Sequence, residues 1–200
     1  MDDGVRFIRV IGWGDFGILL LGWVLSAYQI KAGLPPLLGI KPLQDNWWKA
    51  LSVGLAFALL DVLAIEGILR TETHVGLPPY TQPFPYSLFL YSTATVHMEL
   101  LYKLIPFTLG MLLLGALGLR KKVWAYFLMV LLACWEPLEQ MPSEPGWFVV
   151  YSLGSGFLFN FVQLYLYYRF GWIYSFFARF GLYLVWHVAL GVWIEYFLLG

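Results

Sequence analysis

Glu99 and Lys103 lie four residues apart in one long apolar run, Glu136 and Glu139 three apart in another, and Arg179 stands in a third. On a helix, each of the first two pairs shares a face. Two carboxylates on one face need a proton held by one of them, a metal, or a nearby cation, and Arg179 is the candidate cation. Two imidazoles, His97 and His187, also fall in apolar sequence. A carboxylate and an imidazole together can activate water, so Glu99, Glu136, Glu139, His97 and His187 are the residues a hydrolase would use. The same two histidines are the candidates for holding a haem or chlorophyll-type pigment. Plainer roles stand beside these: an intrahelical ion pair for Glu99 and Lys103, and a hydrogen-bonded interior group for His187.

Familiar site patterns are absent from the sequence. With three histidines and a single cysteine, Cys134, there is no HExxH or CxxC spacing for zinc. No glycine-rich phosphate loop is present, so metal and cofactor stay undetermined. The lone cysteine makes no intrachain disulfide and leaves the redox compartment open.

The elements that carry these residues are membrane helices. The chain has 200 residues, 60% hydrophobic, 20% aromatic and 12% charged, with a mean hydropathy of +0.73. Several stretches exceed the roughly 18–20 apolar residues that cross a hydrocarbon core as a helix, and the alternating segments of a membrane barrel are missing. The fold class is therefore an all-α polytopic bundle in one integral membrane domain spanning residues 1–200, with about six to eight membrane segments. Twelve basic and twelve acidic residues leave no net charge, which argues against a nucleic-acid partner. The lipid bilayer, and other membrane subunits, are the expected partners. The N-terminus Met1-Asp2-Asp3-Gly4 lacks a basic leader region, so the first apolar segment reads as a retained span.

Along the chain, a first span covers 12–30 and ends at Gly33, Pro35 and Pro36; a second follows the polar stretch 41–49 and ends near Arg70. Residues 71–84 form a proline-rich loop expected to pack on the bundle mouth. Residues 85–119 would extend about 50 Å as one helix, and Pro106 is expected to kink or break it. Further spans are 123–140, 147–168 and 172–199, the last open to bending at Gly181. Gly110 to Gly115 and Gly154-Ser155-Gly156 are the candidates for close helix packing. Basic residues favour the cytoplasmic side: Arg120, Lys121, Lys122 and Arg169 fall on one side, with Lys31, Lys41 and Lys49. The expected arrangement puts the triplet inside, and both termini and the proline-rich loop outside.

Within this order, Met98-Glu99-Leu100-Leu101-Tyr102-Lys103, the polar end of the 123–140 span, and Tyr165 to Trp172 leading into Ser175-Phe176-Phe177-Ala178-Arg179 resemble the CAAX prenyl protease and bacteriocin-processing (CPBP) family of intramembrane proteases. The resemblance covers residues 85–190 and implies a CPBP-like helical bundle in a prokaryotic cytoplasmic membrane. The family's motifs read EExxxR, FxxxH and HxxxN or HxxxD. Met98 stands at the first Glu, the family's general base; Glu99 matches the second, and Lys103 replaces the Arg. Leu132 and Glu136 stand at the Phe and His of the second motif, and Arg179 and Tyr183 at the His and Asn of the third. The chain thus keeps the family's frame while exchanging its chemistry. Two imidazoles that would face one centre become Glu136 and Arg179, opposite charges that should pair. The expectation is a pseudoprotease: a structural ion-pair cluster of Glu99, Lys103, Glu136, Glu139 and Arg179 in a non-catalytic, partner-binding subunit of a membrane assembly. The alternatives are an active CPBP-type endopeptidase with a rearranged Glu/His site, and a pigment- or haem-binding accessory subunit.

Overall fold

The computed structural model describes residues 12–37, 47–70, 73–142 and 146–200. Lys41 and most of the turn after Met141 (Ser143, Glu144, Pro145) lie outside the described residues, as do Met1 to Gly4. Six helices follow one another: α1 (Trp13–Ser26), α2 (Trp47–Leu69), α3 (Tyr86–Ala116), α4 (Lys122–Glu139), α5 (Gly146–Phe170) and α6 (Trp172–Leu198), with no strand among the described residues. Four of them, α2, α3, α5 and α6, are long and apolar enough to cross a membrane, at 23, 31, 25 and 27 residues. Helix α4 has 18 residues but carries Lys122, Glu136 and Glu139. Helix α1 is shorter than the 12–30 span expected for it, because the chain turns away after Ser26 and passes through Gly33 with φ +76°.

Pro106, expected to kink or break α3, does not break it. The turn before it, Leu100–Leu104, is widened to a π-helical one in which the Ile105 N–H bonds to the Leu100 carbonyl. Proline lacks an N–H and crowds the carbonyl four residues back; a wider upstream turn accommodates both defects while the helix runs on. Such turns are frequent at functional sites, and this one carries Lys103. Gly181 likewise does not interrupt α6, which continues helically to Leu198 through two further wide turns.

Gly181 serves a different end. A Cβ there would lie 2.4 Å from the Leu51 carbonyl oxygen of α2, and one on Gly54 of α2 would lie 1.8 Å from the Ala178 carbonyl oxygen of α6. These two glycines let the backbones of α2 and α6 touch, which is how helices associate where apolar surface alone gives little drive. Of the four glycines expected to do this, Gly110 abuts Leu128 and Gly156 abuts Pro137, while Gly115 and Gly154 face open space.

Helix α6 is the hub of the bundle, packed on α2, α3 and α5, with α4 completing the set against α5. Gly171, at φ +113°, makes the one-residue turn that reverses the chain from α5 into α6, a backbone state open to glycine at little cost. An apolar core of Leu25, Leu100, Leu104, Phe107, Met129, Ala133, Leu164 and Tyr167 joins α1, α3, α4 and α5. Outward positions are apolar too, among them Trp23, Phe89, Val150 and Phe197, each more than two-thirds exposed. A water-facing bundle would carry charge there; lipid asks for this pattern.

Candidate functional site

Four helices deliver buried polar groups to one centre. Arg179 of α6, 2% exposed, extends its guanidinium between Glu99 of α3 and Glu136 of α4. Its Nε donates to Glu99 Oε1 at 2.8 Å, and Nη1 and Nη2 donate to Glu136 Oε1 and Oε2 at 2.6 Å each. The second contact is the planar two-on-two pairing for which arginine is suited. Nη2 also reaches Gln163 Oε1 of α5 at 3.1 Å. Glu99, fully buried, accepts further bonds from Gln163 Nε2 at 2.6 Å and from the Ser175 hydroxyl at 2.5 Å. Lys103, also fully buried, donates to Glu136 Oε2 at 3.4 Å and to Asn160 Oδ1, while Asn160 Nδ2 donates to the Gly156 carbonyl at 2.8 Å. Two carboxylates face two cations, and every carboxylate oxygen has a donor.

The structure therefore brings Glu99, Lys103, Glu136 and Arg179 together and leaves Glu139 apart. Glu139 is exposed at the end of α4, where it accepts a hydrogen bond from the Tyr102 hydroxyl at 2.9 Å. It does not join the ion-pair cluster, because it is the last residue of α4 and is taken up by Tyr102. Lys103 bonds Glu136 instead of making the expected intrahelical pair with Glu99, because the wide Leu100–Leu104 turn rotates it off that face.

The histidines are elsewhere. His97, half-buried, has Nδ1 3.3 Å from an Asp15 oxygen of α1, on the side of α3 away from Glu99, as two residues on a helix require. His187 stacks on Tyr91 at 4.0 Å between ring centroids, meets Tyr183 edge-on at 4.7 Å, and donates from Nδ1 to the Tyr80 carbonyl oxygen at 2.5 Å. Among the described residues, no three His, Cys, Asp or Glu side chains are grouped as a metal would require.

A cavity of about 410 Å³ opens beside the cluster, with Glu136 and Arg179 in its wall together with Asp61, Tyr151, Trp186 and His187. Asp61 of α2 accepts a hydrogen bond from the Tyr151 hydroxyl of α5 at 2.8 Å. The proline-rich loop lies against this part of the bundle: Tyr80 stacks on Trp186 at 4.9 Å, and Thr81 and Gln82 are 1% exposed. The Tyr80 hydroxyl enters a second charged group, donating to Glu66 Oε1 at 2.8 Å; Arg70 Nε donates to Glu66 Oε2 at 2.7 Å, and His74 Nε2 lies 2.8 Å from the same oxygen. Burial, and then the neighbouring Glu66 carboxylate, push the Tyr80 phenol up to about 12; burial lowers Arg70, but its bonds to Glu66 and Tyr80 together outweigh that and leave it above its ordinary value.

Asn160, Gln163 and Ser175 were not singled out by the sequence reading, nor was the Asp61–Tyr151 pair. One signal was available: Asn160 and Gln163 are the only amides in the 147–168 run, three residues apart and so on one face. Such residues in a membrane helix seek each other or a charge. No protein-family model, curated protein or solved structure matches the chain.

Proposed function

We propose that the chain is a CPBP-like membrane bundle that has given up proteolysis, and that it serves as a structural, partner-binding subunit of a membrane assembly. One observation carries the proposal: at the positions that resemble the family's catalytic ones, Glu136 and Arg179 are closed on each other by two hydrogen bonds of 2.6 Å. An arginine keeps its proton, and a carboxylate bound on both oxygens is a poor proton acceptor. Glu99 is closed in the same way by Arg179, Gln163 and Ser175. A general base must be able to take up a proton, and both carboxylates are instead held by a cation, with a donor on each oxygen. What the group does supply is a charged tie between α3, α4, α5 and α6. The bundle sits in the membrane through helices α2, α3, α5 and α6, which are long and apolar enough to cross, with Arg120, Lys121 and Lys122 facing the cytoplasm.

Purification of the full chain in mild detergent, followed by mass spectrometry of whatever remains bound, tests this reading. Stoichiometric protein companions are expected. Cleavage of a prenylated or membrane-embedded peptide, abolished by Glu99→Gln, would overturn it in favour of the endopeptidase. A visible chromophore lost in His97→Ala or His187→Ala would overturn it in favour of the pigment-binding subunit.

A further inference from the structure

We infer that the cavity beside the ion-pair cluster is a binding site for an organic cation, an amine carrying an apolar or aromatic group, with Asp61 as its counter-ion. The argument begins with charge. Glu99 and Glu136 are balanced by Lys103 and Arg179, so the cluster in the cavity wall is neutral. Among the described residues, Asp61 adds a carboxylate without a cation: its one hydrogen-bonding partner there is the uncharged Tyr151 hydroxyl, which bonds Oδ1. A carboxylate held in a membrane helix beside a cavity is costly unless compensated, and residues of that kind mark ligand and ion sites.

Hydrogen-bonding capacity points the same way. Several donors around the cavity are already committed. Arg179 donates to Glu99, Glu136 and Gln163; Tyr151 donates to Asp61; Tyr80 donates to Glu66; Asn160 donates to the Gly156 carbonyl. Ser155, also in the wall, is hydrogen-bonded to Tyr151. His187 spends its Nδ1–H on the Tyr80 carbonyl, which leaves Nε2 of the neutral ring as an acceptor. Acceptors thus remain at Asp61 Oδ2 and His187 Nε2, both on residues of the cavity wall. An ammonium group would supply donors to both and the charge that Asp61 lacks.

The remaining wall suits the rest of such a ligand. Phe57, Tyr80, Phe148, Tyr151 and Trp186 line the cavity, with Tyr80 stacked on Trp186 at 4.9 Å and Phe148 on Tyr151 at 6.1 Å. Ring faces attract organic cations, most strongly where water is excluded, and about 410 Å³ falls in the range of small-molecule sites. The site is independent of whether the neighbouring cluster is structural or hydrolytic, since it needs neither Glu99 nor Glu136 as a reacting group.

The test uses the full chain in nanodiscs of zwitterionic lipid and three isosteric probes: phenethylammonium, 2-phenylethanol and phenylacetate. Equilibrium dialysis should give saturable binding of one phenethylammonium per chain, at least about tenfold tighter than either of the other probes. Asp61→Asn keeps an oxygen for the Tyr151 hydroxyl and so keeps the fold; it should weaken phenethylammonium by about tenfold or more while leaving 2-phenylethanol unchanged. Equal binding of the alcohol and the ammonium, preference for phenylacetate, no saturable binding of any probe, or an Asp61→Asn affinity equal to the wild type would each overturn the proposal. The comparison of probes on the unaltered chain decides the matter even where the variant fails to fold.

Discussion

Two charged groups in this molecule share a design, an arginine forked onto a glutamate with a tyrosine or amide helping, and differ in where they sit. At the loop side of α2, Arg70 and Glu66 are an i,i+4 pair on one helix, with side chains 28% and 17% exposed. At the centre, Arg179 holds carboxylates from two other helices, its side chain 3% exposed and Glu99 fully buried. The first is local, and water stands ready to replace either partner. In the second, each charge is stable only because the opposite charge is delivered by a different helix, so it enforces the mutual arrangement of α3, α4, α5 and α6. The same chemistry is a fastening at the rim and a condition of assembly at the centre.

The largest effect that would break this comparison is the loss of Arg179. Arg179→Met leaves Glu99 and Glu136 buried with Lys103 as the one remaining cation, and removing one partner of a buried pair costs on the order of 3–5 kcal/mol. Thermal unfolding in detergent should show a large fall in midpoint or no folded protein. Adding Glu136→Gln to that variant removes the stranded charge and should recover part of the loss. Arg70→Met, the corresponding change at the rim, should cost clearly less, about 1 kcal/mol, because this part-buried pair lies nearer the limit of exposed ones. Equal midpoints for the two single variants would end the distinction between fastening and condition.

A second test acts on α6 without touching a charge. Gly54→Ala sets a Cβ 1.8 Å from the Ala178 carbonyl oxygen, which lies on the backbone next to Arg179 and cannot swing aside. The helices must separate, at a cost of about 1–3 kcal/mol typical of overpacking, and α6 must shift under the guanidinium. A midpoint lowered in Gly54→Ala but unchanged in Gly154→Ala, where space is open, is the expected result. Equal midpoints would mean that the α2–α6 approach is looser than the glycines imply.

These tests also mark which parts of the molecule were legible beforehand. An all-helical chain with long apolar spans could be read from hydropathy, because lipid leaves the backbone few other ways to satisfy itself. The members of the central cluster stood out as ionisable residues in apolar sequence. Their pairing did not. Assigning Lys103 to Glu99 assumes an unbroken α-helical register, and the wide turn ahead of Pro106 cancels it. Placing Glu139 with Glu136 assumes that residues three apart share an environment, but α4 ends there and the outer one is exposed and bonded to Tyr102. Asp61 with Tyr151, and Tyr80 with Trp186, join segments 90 and 106 residues apart along the chain; no local spacing announces such contacts. The glycines that mattered, Gly54 and Gly181, belong to two different helices, whereas a small-residue search looks within one.

The smallest expected effect sharpens the rim's side of the comparison through pH. The Tyr80 phenol is pushed up to about 12 in the folded chain, by burial first and then by Glu66, against about 10 for a free tyrosine. Folding therefore favours the protonated phenol. The contribution of its bond to Glu66 is fully present below pH 10, declines between pH 10 and about 12, and is gone above that range, where the phenolate would face the carboxylate. Tyr80→Phe removes the titrating group but keeps a ring to stack on Trp186. The midpoint difference between wild type and Tyr80→Phe should be small and constant up to pH 10, then shrink and vanish as pH approaches 12. Arg70, raised above its usual value, keeps its proton across this window and does not obscure the reading. A difference that holds steady through pH 12 would show that Tyr80 steadies the loop by stacking alone, and that the rim group is fastened by Arg70 and His74 without it.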